Sequence, residues 1–324
     1  MSATTTPIGR RRDQRGAALL LAMLIVTLVA TLATGMVWQQ WRAIEVEGAE
    51  RARGQSAWLL GGALDWARLI LREDARDGGP DGLTEPWATG LAEIRLSTFL
   101  ASDKDNTKDS DLDAFLSGQI VDAQSRYNLR NLINDDENIA RNELRIISKL
   151  CENLGLPPQT GQRIADGLRA ANNAENQLDD EEAVQAGAPL QPLRVDQLTW
   201  LGIDARTVAT LTPYVSLLPQ RTTVNINTAP VEVLTAVIDG LDRASAQRLV
   251  QQRQQLRKGF EQLAAAKALL NDKVKLDPTD VGISSNLFEV TGQLRYEDNV
   301  LRERSLVQRR SAEVRVLRRE RLGA

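Results

Sequence analysis

The strongest pattern in the chain is an apolar run near its start: Ala17 to Val37 reads AALLLAMLIVTLVATLATGMV without a charged side chain. At about 1.5 Å of rise per residue, these roughly 21 residues make about 32 Å of helix, enough to cross a hydrocarbon layer of about 30 Å. Beyond it Trp58, Leu59, Trp66, Leu69 and Ile70 recur at three- and four-residue spacing. That stripe predicts a helix continuing to about Arg76 and packing on a sheet. Gly78, Gly79, Pro80, Gly82 and Pro86 then end it in a loop.

Alternation predicts one strand over Ala92 to Leu100 and another over Ser117 to Leu129, with the polar stretch Ser102 to Asp113 between them. Helical periodicity dominates from Glu137 to about Leu270, most clearly in Arg141 to Leu154, Gln159 to Ala171, Val195 to Leu201 and Ala205 to Leu217. Asn286 to Tyr296 and Asn299 to Val307 flank Glu297-Asp298 as a hairpin. A helical block between strands that must share a sheet is most simply an insertion. The expected fold is therefore α+β: a long N-terminal transmembrane helix packed on a small antiparallel sheet, with a large inserted all-α domain.

Charge gives the apolar run a direction. Arg10, Arg11, Arg12 and Arg15 precede it against Asp13 alone, and Glu45, Glu47 and Glu50 follow it. The excess of arginine on one side predicts a cytoplasmic N-terminus with the remainder outside, and Trp38 and Trp41 sit where an interfacial aromatic belt is expected. Two plainer readings of the run are a secretory signal peptide and an ordinary single-span anchor. Ala33, Thr34 and Gly35 supply only a poor cleavage site, and Val37 to Arg53 continues helically.

The 324 residues leave room for two modest domains, and the net charge of −3 becomes more negative once the leader is set aside, so the body has no global attraction for nucleic acid. The chain has no histidine. That removes the usual general base, the commonest zinc ligand and the histidine-dependent nucleophiles, and the expectation is a protein that is not an enzyme. Cys151 is the single cysteine, which excludes an intrachain disulfide and multi-cysteine metal sites. Ile147, Leu150 and Leu154 around it predict a buried thiol.

Arg15, Gly16 and Ala17 place a glycine at the boundary between the basic leader and the apolar helix. This resembles the leader of type IV prepilins, in which a membrane-embedded prepilin peptidase cuts after the glycine and methylates the new terminal amine; the resemblance assigns Gly16 and Ala17 to that processing. Most pilins carry glutamate at the fifth mature position to neutralise the amine of the subunit above. Here that position is Leu21. A carboxylate at the bilayer centre costs about 2.5 to 3.5 kcal/mol and needs a partner cation, which a subunit with nothing above it lacks.

Three further segments carry the resemblance: Glu85-Pro86-Trp87-Ala88, then Gly118 to Leu132 (GQIVDAQSRYNLRNL), and Val224 to Leu234 (VNINTAPVEVL). With the leader and Leu21, they are similar to the K-type minor pseudopilin family of type II secretion systems. The resemblance implies a pilin-like α+β body and a tip subunit for the export of folded proteins from the periplasm. Its implied partners are the I and J minor pseudopilins, the H and major G pseudopilins and the prepilin peptidase. Its implied location is the bacterial inner membrane, single-pass, with a cytoplasmic N-terminus and a periplasmic head. The expected division is a prepilin leader over 1–16, the N-terminal helix over 17–76 with its membrane segment at 17–37, a body over 77–134 and 285–324, and the inserted domain over 135–284.

The motifs also have a purely structural reading. Ile120, Tyr127, Leu129 and Leu132 are core candidates, and Asp122 and Asn128 suit turns through side chain to backbone bonds. Thr228 can cap a helix, Pro230 suits its first turn and Glu232 its positive end. The segment near 225–263 is also similar to helix-hairpin-helix modules, so the rival function is a membrane-tethered DNA-binding protein for uptake. Against it, Asp242 stands where the second glycine of the phosphate-binding hairpin would be. Arg243, Arg248, Arg253 and Arg257 compensate on that reading, or form a solvated helix face. The expectation is no nucleic acid.

Family members bind calcium through carboxylates in the helical domain, after a segment like W-x-D-x-D that Asp166 to Gln177 lacks. The candidate calcium residues here are Glu175, Asp179, Asp180, Glu181 and Glu182, with a second acidic stretch at Asp103, Asp105, Asp109, Asp111 and Asp113; solvated loops are the alternative for both. No other metal or cofactor is expected. The basic tail from Arg302 to Arg321 reads as a solvated strand or helix face.

Overall fold

The computed structural model describes residues 13–96, 114–176, 189–296 and 299–323. They fall into two units, divided between Leu59 and Leu60. The first unit is the early part of one helix, α1 (Asp13–Asp77). Its apolar run is the one span among the described residues long and apolar enough to cross a membrane, and no part of it is buried by protein. Thr27, Thr31 and Thr34 turn their hydroxyls back onto the carbonyls of Leu24, Leu28 and Ala30. Each polar group is thereby satisfied inside its own helix, as an apolar solvent requires.

The second unit is built on a five-stranded antiparallel sheet in the order β1-β2-β7-β8-β9. Its strands are β1 (Leu91–Arg95), β2 (Ala114–Asp122), β7 (Leu287–Tyr296), β8 (Asn299–Arg310) and β9 (Glu313–Leu322). One face packs on the end of α1: Leu64, Ala67 and Leu71, at helical spacing, meet Ile120, Phe288, Val290 and Val307, at strand spacing. Trp87, from a short 3-10 turn, lies edge-on to Phe288 with ring centroids 5.1 Å apart. Gly118 and Gly292 face each other in register. A Cβ on Gly292 would come within 3.2 Å of Leu60, so the bare backbone lets the helix approach closely.

β2 and β7 are sheet neighbours, with Asp122 opposite Phe288. The chain between them is the helical block, which confirms that helices interrupt one antiparallel sheet. The block holds α2 (Glu137–Asn153), α3 (Thr160–Asn176), α4 (Ala205–Leu211), α5 (Val231–Val237), α6 (Arg243–Gln255) and α7 (Leu263–Lys267). Two short parallel bridges, β3 (Tyr127–Asn128) with β4 (Val215–Ser216) and β5 (Val224–Asn225) with β6 (Val281–Gly282), hold the intervening chain. Ile146, Ile147 and Leu150 of α2, Ile164 and Leu168 of α3 and Leu234 of α5 make a second core that also takes Tyr127, Leu129 and Leu132. α2 starts where Asp136 accepts from the amides of Asn138 and Ile139.

Several boundaries differ from the sequence expectation. The strand expected to reach Leu129 stops at Asp122, whose carboxylate accepts the Gln124 amide and starts a 3-10 turn. The helix expected to reach Leu217 stops at Leu211, because Pro213 cannot continue it. Val195–Leu201 is a 3-10 helix and not an α-helix. The hairpin strands stand where expected, and the basic tail supplies the end of β8 and all of β9.

Candidate functional site

The three sequence motifs meet in one buried polar seam, where the sheet joins the helical block. Asp122 ends β2 with its carboxylate out of solvent. Oδ1 accepts from the Gln124 amide at 2.7 Å, while Oδ2 accepts from Thr228 Oγ1 at 2.6 Å, Ser285 Oγ at 2.7 Å and Asn225 Nδ2 at 3.1 Å. Burial pushes the Asp122 carboxyl above its ordinary pKa, and these donors oppose it. Thr228 thus spends its hydroxyl on Asp122 and does not cap α5, whose N-cap is Pro230. Glu232 does lie in the first turn, as expected.

Asn225 and Asn227 extend the seam into the block. Asn225 also donates to Asp81 O and Ser285 Oγ, both at 3.0 Å, and accepts the Asn227 amide. Asn227 brackets Phe260 by accepting from its N–H at 2.8 Å and donating to its carbonyl at 3.1 Å. This clamp requires Gly259, which sits at φ +72°, where an added Cβ would lie 2.6 Å from Asn227 Oδ1.

On the sheet side, Asp81 accepts the Ser285 amide at 2.7 Å and pairs with Arg309 Nη2 at 2.5 Å. Arg309 also pairs with Asp74, donates to Ser285 O and lies over the Phe288 ring. Glu85 accepts from the Gly82 amide and Trp87 Nε1, both at 2.9 Å, which explains the Glu85-Pro86-Trp87 motif. Burial pushes the Asp81 carboxyl up to about 6 against the pull of Arg309, and raises Glu85 too. Sequence reasoning missed Asp74, Asp81, Ser285 and Arg309. The one signal was a charged residue, Arg309, among the apolar positions of β8, and it read as part of a solvated tail.

Asp74, Asp81 and Glu85 bring ligand oxygens within 4.8 Å of one another. Calcium takes six to eight oxygens. Arg309 already pairs with two of these carboxylates and puts a cation among them, and Glu85 is spent on Gly82 and Trp87, so the trio does not fit calcium. Of the sequence candidates, Glu175 lies in the last turn of α3, and Asp179, Asp180, Glu181 and Glu182 lie outside the described residues, as does the stretch from Asp103 to Asp113.

A second set of motif residues fixes α2. Tyr127 donates to Glu143 Oε2 at 2.8 Å, Arg221 pairs with Glu143 at 2.9 Å, and burial first, then the Glu143 charge, drive the Tyr127 pKa well up. Asn128 accepts the amides of Arg130 and Leu218 and donates to Gln220 O and Thr222 Oγ1. The turn-forming roles read for Asp122 and Asn128 hold, and each residue also bonds across about a hundred positions.

The helix-hairpin-helix resemblance is geometric: α5 and α6 flank Gly240, at φ +74°. The α6 N-terminus, where a phosphate would sit, is closed by Asp242, which accepts from Ser245 N at 2.8 Å and Oγ at 2.9 Å and is held below the usual carboxylate range by those bonds. Arg243 pairs with Glu232 and Arg248 donates to Ser245. Arg253 departs from the solvated face: it is buried and donates to Ile226 O and Ala229 O, each at 2.7 Å.

In the stem, Gly16, Ala17 and Leu21 lie within α1 with their side-chain positions exposed. Ala17 and Leu21 are four residues apart and therefore share a helix face.

Two family models, both described as type II secretion system (T2SS), protein K, match residues 125–220 and 224–282. Among curated relatives, a type II secretion system protein K of Pseudomonas aeruginosa is 29% identical over 270 residues, covering 78% of this chain and 75% of its own. A protein K of Pectobacterium carotovorum is 26% identical and covers 96% and 97%; one of Klebsiella pneumoniae is 30% identical and covers 66% of each. Among solved structures, a chain in the GspK-GspI-GspJ complex from the enterotoxigenic Escherichia coli type 2 secretion system superposes with a TM-score of 0.65 at 22% identity, covering 85% of this chain and 99% of that one. The last likeness concerns the fold.

Proposed function

We propose that this chain, which belongs to the type II secretion system protein K family, is the minor pseudopilin at the tip of the pseudopilus, where it starts or caps fibre assembly for the export of folded proteins. The observation that carries the tip position is Leu21, an apolar side chain one helical turn after Ala17 in a stem of otherwise apolar residues. An amine at Ala17 seeks a carboxylate in the neighbour below, whereas a topmost subunit has no amine above it to neutralise.

On this reading the prepilin peptidase cuts between Gly16 and Ala17, and the stem holds the protein in the inner membrane with its head in the periplasm. The stem then packs against the stems of minor pseudopilins I and J, with H and the major G beneath, through helix contacts in the membrane. The E. coli complex that shares the fold contains GspI and GspJ, which supports I and J as the first partners.

Mass spectrometry of the membrane-extracted protein tests the processing: an N-terminal methyl-Ala17 is expected, and an intact Met1 or Ser2 defeats it. Stoichiometry tests the position. Quantified against the major subunit in sheared fibres, the chain should occur about once per fibre, and Leu21→Glu should raise that number; a wild-type chain repeating along the shaft contradicts the tip assignment.

A further inference from the structure

The sheet has a second face, turned away from α1. Register fixes which side chains occupy it: Thr291 pairs with Arg304 and Gln119, and Gln293 with Arg302, whereas the alternate residues Val290 and Leu294 face the other way. With Leu322 opposite Arg302, these residues floor a trough of about 550 Å³ lined by all five strands. Its lining contains two arginines, hydrogen-bonding amides and hydroxyls, and no carboxylate.

The charge here is unusual in its surroundings. From Arg302 to Arg321 the chain has eight arginines against three glutamates, in a protein of net charge −3. Four of the eight pair with carboxylates: Arg309 with Asp74 and Asp81, Arg315 with Glu313, Arg318 with Glu320 and Arg319 with Glu303. On the same face Arg295 pairs with Glu93. The two facing the trough differ. Among the described residues Arg302 donates only to Gln293 Oε1, at 3.0 Å, and Arg304 has no hydrogen-bond or carboxylate partner, because Glu320, opposite it in register, pairs with Arg194 and Arg318 instead.

We propose that this trough is a docking surface for an acidic, extended segment of another protein, lying along β8. Arg302 and Arg304 are two residues apart on one strand, so their side chains leave the backbone on the same face at an interval of roughly 6.6 Å. An extended segment presents alternate side chains at the same interval, and carboxylates at positions i and i+2 meet the two arginines as charge-assisted, bidentate pairs. Gln119, Gln293 and Thr291 supply further donors. The assignment goes beyond the tip position and does not depend on it.

The test uses the full chain in non-ionic detergent and a fluorescent peptide of alternating Glu and Ser, read by anisotropy at low and at physiological salt. The peptide should bind with salt-sensitive affinity, and the same peptide with Gln for Glu should not. The double variant Arg302→Gln/Arg304→Gln should weaken binding by about tenfold or more, since exposed charge pairs contribute up to about 1 kcal/mol each. Arg302→Lys/Arg304→Lys should fall between, and Arg315→Gln, outside the trough, should bind as wild type; circular dichroism verifies that each variant is folded. Equal binding of the Glu and Gln peptides, no binding to the wild type, or an unchanged affinity in the double Gln variant would each overturn the proposal. Retention on phosphatidylglycerol vesicles through the same two arginines, with no affinity for the peptide, would overturn it in favour of a lipid surface.

Discussion

The side-chain amide of Asn225 donates to the carboxylate of Asp122 at 3.1 Å, across 103 positions of sequence. The bond joins the last residue of β2 to β5, and so ties the sheet to the helical block. Both groups are buried, so removing either leaves polar partners with no water to replace it. Asp122→Ala and Asn225→Ala should each destabilise the fold by roughly 3 kcal/mol, and the double variant should cost less than the sum by about 1 to 2 kcal/mol. Urea unfolding of the four proteins in detergent measures this; strict additivity would show that the pair is not coupled.

Asp81 predicts a pH dependence. Its carboxyl titrates at about 6 in the fold against an ordinary value of 3.8, because burial outweighs the attraction of Arg309 and the Asp74 charge adds to the burial. Between those values the folded chain binds more protons than the unfolded one, so stability falls as pH rises from about 4 to about 6, by up to about 3 kcal/mol from this group. Glu85, raised by burial, acts in the same direction. In Asp81→Asn that dependence should flatten. The melting-temperature advantage of wild type over the variant should shrink between pH 4 and 6.5, and an advantage that grew would contradict the account.

Two arginines one face apart on α6 should behave oppositely. Arg253 holds the carbonyls of Ile226 and Ala229 from inside the core, and burial lowers its pKa to about 10. Arg253→Met leaves both carbonyls unpaired and should cost roughly 2 to 4 kcal/mol. Arg243 is exposed beside Glu232, and Arg243→Met should change stability by less than about 1 kcal/mol. Comparing the two denaturation midpoints decides whether this hairpin uses its arginines for folding.

Cys151 lies in the core of the helical block with no exposed surface, and burial pushes its thiol up to about 11. Thiolate is the reactive form, so the native protein should resist a thiol reagent at pH 8 and react at the rate of unfolding. Stopped-time labelling along a urea series tests this; rapid modification without denaturant would mean that α2 opens locally.

Local chemistry made much of this protein readable from its residues. The stem announces itself because an uncharged run of that length has few other uses, and the alternation in β7 and β8 and the spacing in α2 follow from which face must be buried. Ile120, Tyr127, Leu129 and Leu132 were legible as core for the same reason. Asp122 and Asn128 were legible as turn formers because their nearest bonds are two residues away.

The tertiary structure alone decided what those residues do at long range. Thr228 looks like a helix cap until Asp122 is brought to 2.6 Å from its hydroxyl, and Arg309 looks like surface until Asp74 and Asp81 converge on it from the other end of the chain. Periodicity reports the environment of a side chain along one element. The partners of a buried charge are set by which elements the fold brings together, and that information is absent from any local window. The sequence by itself thus determined the stem, the mixed fold and the motif positions. Only the packing of the sheet on the helical block showed that the motifs form a single seam, because a buried polar group is satisfied by whatever donor arrives in space.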